Sequence, residues 1–119
     1  MFYTYRQNNS AGYFVRDENV DVYVIIEADS ADEANAKALD IGLYFNGCHT
    51  GQDCSCCGDR WYEPWDDGTV EPTIYDQPAG VKILDHWYEG GRAIVYYEDG
   101  LKRYYNNNGS VVDVRPEER

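Results

Sequence analysis

Two consecutive segments decide the fold of this chain: Val20-Asp21-Val22-Tyr23-Val24-Ile25-Ile26-Glu27-Ala28 and Asp29-Ser30-Ala31-Asp32-Glu33. The first is rich in β-branched and aromatic residues, and its apolar residues occupy both alternate sets of positions. That pattern is typical of a strand covered on both faces, so we predict a central strand here. In the second segment, Ser30 and Glu33 match the capping box S-x-x-E, in which two side chains satisfy free N–H groups at a helix start.

The residues after the capping box predict a helix over residues 31–41. Ala34, Ala38 and Ile41 recur at i, i+4 and i+7, which places them on one face, and the small alanines allow close approach to a sheet. Gly42 stands where a glycine commonly ends a helix. A buried strand followed at once by such a helix indicates that helix and sheet pack together.

Strands are predicted at both ends of the chain. Near the N-terminus, Phe2-Tyr3-Thr4-Tyr5 reads as a strand, and the polar loop of residues 7–12 turns back toward Tyr13-Phe14-Val15, which predicts a short hairpin. In the C-terminal third, turn signals about nine residues apart predict an antiparallel meander. The predicted meander strands are Val81 to Tyr88, Arg92 to Glu98, Leu101 to Asn106 and Ser110 to Val114.

These elements indicate one α+β domain over residues 1–119, in which one helix packs on a largely antiparallel sheet. The domain has three parts. Residues 1–45 hold the N-terminal hairpin, strand and helix, residues 46–80 form a cysteine-rich, acidic and irregular loop, and residues 81–114 form the β-meander. The loop is long for a compact domain, which suggests that something besides backbone pairing, such as a metal ion, organises it.

The four cysteines lie within ten residues of one another along the chain. Cys54 and Cys57 are spaced C-x-x-C and are followed by Gly58, the arrangement in which a tight turn directs two thiolates at one metal ion. A closed zinc site needs two further ligands. The candidates are Cys48, Cys56, His49 and His86.

Zinc ligation and free thiols are both open interpretations of the cysteine cluster. The sequence lacks a second C-x-x-C pair, and a redox dithiol would lack the βαβ surroundings typical of such motifs. Disulfides are disfavoured, because the first residues show no export signal and a cytosolic compartment is reducing. Four protein ligands would leave no position for an activated water, so the Zn²⁺ that we expect is structural.

The chain carries a formal charge of −12, from 22 acidic residues against 10 lysines and arginines. Such a surface repels phosphate backbones, so we expect no direct nucleic-acid binding. No segment approaches the roughly 20 apolar residues of a membrane-spanning helix, and we expect a soluble protein without membrane contact. Within residues 46–80, Arg60 is the single arginine or lysine, and the acids are Asp53, Asp59, Glu63, Asp66, Asp67, Glu71 and Asp76.

Aromatic residues accompany these acids, a mixture typical of protein-binding hot spots. For Trp61, packing around the cysteines and exposure at an interface are both open. A solvated acidic loop is the plain alternative to a binding surface. Tyrosine-rich sheet edges offer a further interaction, a homodimer. The predicted partner-binding residues are Trp61, Tyr62, Trp65, Asp66, Asp67 and Glu71.

The sequence contains none of the motifs G-x-S-x-G, H-E-x-x-H or a glycine-rich phosphate loop, and its two histidines limit acid–base chemistry. We therefore favour a non-enzymatic protein. Two alternatives stay open. One is a zinc-dependent enzyme in which Cys48, Cys54 and Cys57 leave an open metal position beside Asp59 or Glu63. The other is a minor component of a larger assembly.

Three stretches of the chain are distinctive: Met1-Phe2-Tyr3-Thr4-Tyr5-Arg6-Gln7-Asn8-Asn9-Ser10, Glu27-Ala28-Asp29-Ser30-Ala31-Asp32-Glu33-Ala34 and Cys54-Ser55-Cys56-Cys57-Gly58-Asp59-Arg60-Trp61. Together they resemble a family of small proteins of tailed bacteriophages without a known activity. The resemblance spans most of the chain and implies action in the host bacterial cytoplasm during infection. For the assembly alternative, it implies a minor virion component. With the charge and the aromatics, it leads us to expect a phage accessory protein that binds and modulates a host protein, such as a host-defence or nucleic-acid-handling factor.

Overall fold

The computed structural model describes residues 1–8, 12–53, 58–64, 67–74, 77–79, 92–106 and 109–115. The strands are β1 (Phe2–Arg6), β2 (Tyr23–Glu27), β3 (Thr73–Ile74), β4 (Gln77–Pro78), β5 (Ala93–Tyr96), β6 (Lys102–Tyr105) and β7 (Val111–Val114), and the helices are α1 (Ala31–Ile41) and α2 (Gly47–Thr50). A five-stranded sheet has the order β1-β2-β5-β6-β7, and β3 pairs with β4 separately. Every neighbouring pair in the main sheet is antiparallel except β2 and β5. The α+β class is confirmed.

Helix α1 begins and ends where its sequence signals predict. The Ser30 side chain accepts a hydrogen bond from the Glu33 backbone N–H at 3.1 Å. Gly42 ends the helix with φ at 112°, a left-handed conformation that a glycine adopts without steric strain. The Glu33 carboxylate lies 3.1 Å from the Lys37 ammonium, an i,i+4 pair on the helix surface. The predicted helix over residues 31–41 is confirmed.

Strand β2 is the centre of the core, as predicted. Its first four residues are at most 2% exposed, so both of its faces are covered. On one face, Val24 and Ile26 pack in a cluster with Ala34 and Ala38 of α1. On the other face, Ile25 packs in a second cluster with residues of β3 and β5. One strand therefore contributes to both hydrophobic layers of the domain.

The predicted N-terminal hairpin is wrong. Strand β1 pairs with β2 in antiparallel register over all five of its residues, and residues 13–15 form no strand. Instead, the Gln7 side chain donates to the Val15 carbonyl at 2.9 Å and accepts from the Val15 N–H at 2.6 Å. The apolar strand β2 offers β1 a partner of equal length, and the Gln7 amide satisfies the backbone that a hairpin would have paired.

The C-terminal meander is confirmed for β5, β6 and β7, which pair in succession as antiparallel neighbours. The fourth predicted strand, Val81 to Tyr88, lies outside the described residues. Residues 54–57 of the predicted cysteine-rich loop also lie outside the described residues. The described part of that loop includes the short helix α2. In the ranges that the structure describes, no helix has the length and apolar character needed to cross a membrane.

An ion pair between the buried Asp21 carboxylate and the half-buried Arg92 side chain fixes the start of the parallel pair β2 and β5. Asp21 is 2% exposed, and it accepts hydrogen bonds from Arg92 Nε at 2.8 Å and from the Arg92 backbone N–H at 3.2 Å. The Arg92 guanidinium also lies 4.7 Å from the centre of the Tyr104 ring, within reach of a cation–π interaction. Residues distant in sequence thus meet at one end of the sheet.

Candidate functional site

Two residues that form a buried ion pair lie on either side of three of the four cysteines in the sequence. Asp53 directly precedes Cys54, and Arg60 follows Cys57 by three residues. The side chains of Asp53 and Arg60 are 1% and 3% exposed, and Arg60 Nε lies 3.8 Å from Asp53 Oδ1. The Arg60 backbone N–H also donates to Asp53 Oδ2 at 2.8 Å. These contacts join the chain on both sides of residues 54–57.

Tyr44 completes the contacts between the two charged groups. Its hydroxyl donates to Asp53 Oδ1 at 2.7 Å and accepts from Arg60 Nε at 3.2 Å. Burial raises the pKa of the Tyr44 phenol, and the hydrogen bond to Asp53 raises it further, against the opposing effect of Arg60. The phenol therefore keeps its proton at neutral pH and can donate it to the carboxylate.

Arg60 also connects this pair to the end of β1. Its Nη1 donates to the Tyr13 carbonyl at 2.8 Å and to Gln7 Oε1 at 3.1 Å, and its guanidinium lies 4.7 Å from the centre of the Tyr13 ring. The Arg60 carbonyl accepts from the Asn8 N–H at 2.8 Å. We call Gln7, Tyr13, Tyr44, Asp53 and Arg60 the loop anchor.

Gly47 lies so close to the loop anchor that it leaves no space for a side chain. A Cβ atom at this position would come within 1.9 Å of Asp53 Oδ2 and 2.9 Å of Tyr44 Cε2. The Gly47 carbonyl meanwhile accepts from the Asp53 N–H at 2.9 Å. Asp59 fixes the next residue along α2, since its Oδ1 accepts from the Cys48 N–H at 2.9 Å. The backbone on both sides of the cysteines is thus held by specific contacts.

The segment after the loop anchor follows the outer edge of β1. The Asn8 to Arg60 bond holds one end, and Phe2 and Thr69 exchange two backbone hydrogen bonds of 2.7 and 2.8 Å at the other. Burial chiefly, and next the negative charge of Glu63, raise the pKa of Tyr5 in β1. Arg60 and Thr69 therefore hold the described ends of this segment, the first at Asn8, the second residue after β1, and the other at Phe2 in β1.

Several side chains of this segment project into solvent. Tyr62 is 55% exposed and Val70 is 81% exposed. The acids Glu63, Asp67 and Glu71 are exposed as well. Because Arg60, the single arginine or lysine of residues 46–80, is buried against Asp53, it does not neutralise these outer carboxylates. We call Tyr62, Glu63, Asp67, Val70 and Glu71 the loop surface.

The sequence profile of a family described as Domain of unknown function (DUF7296) matches residues 1–114. The chain belongs to the DUF7296 family. The match covers the main sheet, both helices, the loop anchor and the loop surface, so the whole arrangement lies within the family's domain. No curated protein and no solved structure matches the chain.

The metal candidates of this DUF7296 protein are placed only in part. Cys48 lies in α2 and is partly buried, and His49 beside it is exposed. Cys54, Cys56 and Cys57 lie outside the described residues. A separate group of three exposed carboxylates has ligand atoms within 4.8 Å of one another, a common arrangement on an acidic surface. Its members are Asp29, Glu33 and Glu98.

The partner-binding prediction needs one correction. Trp61 is 2% exposed and packs in the core cluster that also contains Tyr5 and Ala38, so it is a core residue and is not exposed at an interface. Tyr62, Asp67 and Glu71 lie at the surface. Trp65 and Asp66 lie outside the described residues.

The loop anchor was not predicted from the sequence. Arg60 was interpreted as a counter-charge among seven acids, and nothing in its local pattern distinguishes a buried arginine from an exposed one. One signal is available in the sequence: Arg60 is the single arginine or lysine among seven acids. A carboxylate of this segment that becomes buried needs a positive partner, and Arg60 is the one that the segment offers. Its acceptors on Gln7 and Tyr13 are distant in sequence, so local patterns could not reveal them.

The loop anchor predicts strong destabilisation when Asp53 is removed. Asp53→Ala leaves the Arg60 guanidinium buried without its carboxylate, and we expect a loss of about 3–5 kcal/mol in the free energy of unfolding. Gly47→Ala forces the same carboxylate out of place, and we expect a loss of about 1–3 kcal/mol. Urea denaturation followed by circular dichroism measures both.

The two losses should not add. Once Asp53 is alanine, the closest atom that a Gly47→Ala side chain would meet is gone, so the double variant should fall short of the sum by at least about 1 kcal/mol. Additive losses would show that Gly47 and Asp53 act independently. Asp40→Ala, an exposed carboxylate of α1, is the control and should change stability by less than about 0.5 kcal/mol.

Proposed function

We propose that this DUF7296 protein is a non-enzymatic binding protein that attaches to a host protein through the loop surface and modulates it. The observation that carries the proposal is the burial of Arg60 in the loop anchor. It leaves Glu63, Asp67 and Glu71 exposed in a segment without another arginine or lysine. A surface of this charge favours a partner with exposed lysines and arginines.

The anchoring of the loop supports binding as well. Association loses free energy when it must order a flexible segment, and a segment already tied to β1 at Asn8 and Phe2 loses less. Tyr62 adds a large amphipathic side chain of the type that dominates interface hot spots. The loop surface thus combines a held backbone, exposed acids and an exposed aromatic residue.

The biological setting of the proposal rests on the resemblance to tailed-bacteriophage proteins. It implies a phage accessory protein that works in the host bacterial cytoplasm, where a host-defence or nucleic-acid-handling factor would be the partner. The charge of −12 supports a protein partner over direct binding to nucleic acid. In its narrower form, the proposal has the acidic surface occupy the nucleic-acid site of that factor.

A structural Zn²⁺ is proposed for the cysteine loop. The support is the C-x-x-C spacing of Cys54 and Cys57, with Cys48 as third ligand and Cys56 or His49 as the fourth. The hydrogen bond from the Cys48 N–H to Asp59 fixes the backbone of the third ligand. The metal would hold the loop together. With four protein ligands, it would have no open position for a catalytic water.

Charge reversal on the loop surface tests the binding proposal. Proteins captured from a bacterial lysate are identified, the partner is purified, and its Kd for the wild type and two variants is measured by calorimetry. Glu63→Lys with Asp67→Lys should weaken binding at least about tenfold, because like charges would face a basic partner. The wild-type affinity should also fall as salt is added.

The matched control for this test is Asp29→Lys with Asp40→Lys, which makes the same change in net charge at exposed sites flanking and within α1. This control should keep the wild-type affinity within about twofold, apart from the effect of overall charge. Equal weakening by both double variants would assign binding to net charge alone. Unchanged affinity of the loop-surface variant would remove the loop surface from the interaction.

Metal analysis tests the zinc proposal. Protein purified without a histidine tag should contain about one zinc per chain, as a closed structural site holds one ion. Cys54→Ser should lose the metal and much of its thermal stability, whereas the control Ser55→Ala should keep both. A zinc-free wild type that is fully folded would identify the cysteines as free thiols.

A further inference from the structure

Strand β7 lies at one edge of the main sheet and exposes apolar side chains. In the described part of the chain, β6 is its one neighbour. Val111, Val112 and Val114 are 51%, 49% and 48% exposed, and they alternate between the two faces of the strand. An exposed valine strand with unpaired backbone groups is a template for another strand. The opposite edge of the sheet, at β1, contacts the loop through the two backbone hydrogen bonds between Phe2 and Thr69.

The local charge at β7 differs from that of the rest of the chain. Residues 98–115 contain three acids and three basic residues, so this segment is neutral within a chain of charge −12. Asp113 of β7 is paired within the chain, since its two carboxylate oxygens accept from Arg103 at 2.7 and 3.0 Å. Two copies of this acidic protein can therefore approach here without the repulsion that opposes contact between their acidic surfaces.

The register of β6 and β7 shows which backbone groups of β7 face outward. The Asn106 N–H donates to the Ser110 carbonyl in the connecting turn. Because hydrogen-bonded and non-hydrogen-bonded pairs alternate in an antiparallel ladder, Val112 bonds to β6 and the backbone groups of Val111 and Asp113 point away from the sheet. The outward groups are therefore two residues apart, with Val112 between them.

We infer that β7 pairs with β7 of a second copy, antiparallel about a two-fold axis at Val112. In this register the outward groups of Val111 bond to those of Asp113 in the other copy, and Val112 faces its own counterpart. A register centred on Asp113 would instead place two carboxylates opposite each other. The two five-stranded sheets become one continuous sheet, and the loop surface, attached to the β1 edges, remains at its outer ends.

This inference is independent of the proposed function, because it uses the opposite edge of the sheet and a different partner. The sequence-based expectation placed a homodimer at tyrosine-rich sheet edges, whereas three of the four residues of β7 are valines. Four-residue strands make a small interface, so we expect a weak dimer that forms at high protein concentration.

Sedimentation equilibrium of the full chain tests the inference, from micromolar concentration up to on the order of 1 mM. The wild type should show a reversible monomer–dimer equilibrium. Val112→Lys sets two ammonium groups directly opposite each other, with Cβ atoms about 4.5–5.5 Å apart, and should raise the dimer Kd at least about tenfold. Val70→Lys, at a valine of the loop surface that is 81% exposed, is the control and should leave the Kd unchanged.

A wild type that stays monomeric over this range overturns the inference. So does a dimer that tolerates Val112→Lys, or one that Val70→Lys disrupts equally. Circular dichroism checks that both variants keep the wild-type fold, which we expect because both valines are substantially exposed. Loss of the dimer with partner binding intact would separate this inference from the proposed function.

Discussion

The ion pair between Asp53 and Arg60 is the constraint on which the packing of the chain before and after residues 54–57 depends. A buried guanidinium is tolerated only when its donors and its charge are satisfied. Here Asp53 supplies the opposite charge, and Tyr44, Gln7 and the Tyr13 carbonyl supply the acceptors. These four residues come from separate stretches of the chain. Satisfying one side chain thus brings together the end of β1, the chain after α1 and both sides of the cysteine cluster.

The same burial determines the electrostatics of the surface. Arg60 is removed from solvent together with one carboxylate, and Glu63, Asp67 and Glu71 of its segment lie exposed at the surface. At the far edge of the sheet, acids and bases balance. The domain therefore presents two edges of different character. One is acidic and contacts a held loop, which suits a basic protein partner, and the other is neutral and apolar, which suits a second copy.

Local patterns predicted much of the regular structure. The Ser30 cap, the Gly42 end and the apolar run of β2 act over a few residues, so the sequence contains them directly. The pairing of β1 with β2, the parallel alignment of β2 with β5 and the burial of Arg60 join residues tens of positions apart. Such contacts depend on competition between many possible partners. The spacing of apolar residues within one segment does not show which distant segment it pairs with.

Amide hydrogen exchange observed by NMR tests most directly whether the loop anchor holds the loop as part of the folded core. The Arg60 N–H donates to Asp53 and the Asn8 N–H donates to the Arg60 carbonyl, so both should exchange as slowly as the amides of Val24 and Ile25 in β2. Exchange of the Arg60 and Asn8 amides near the rate of an unfolded peptide, while β2 stays protected, would contradict this account.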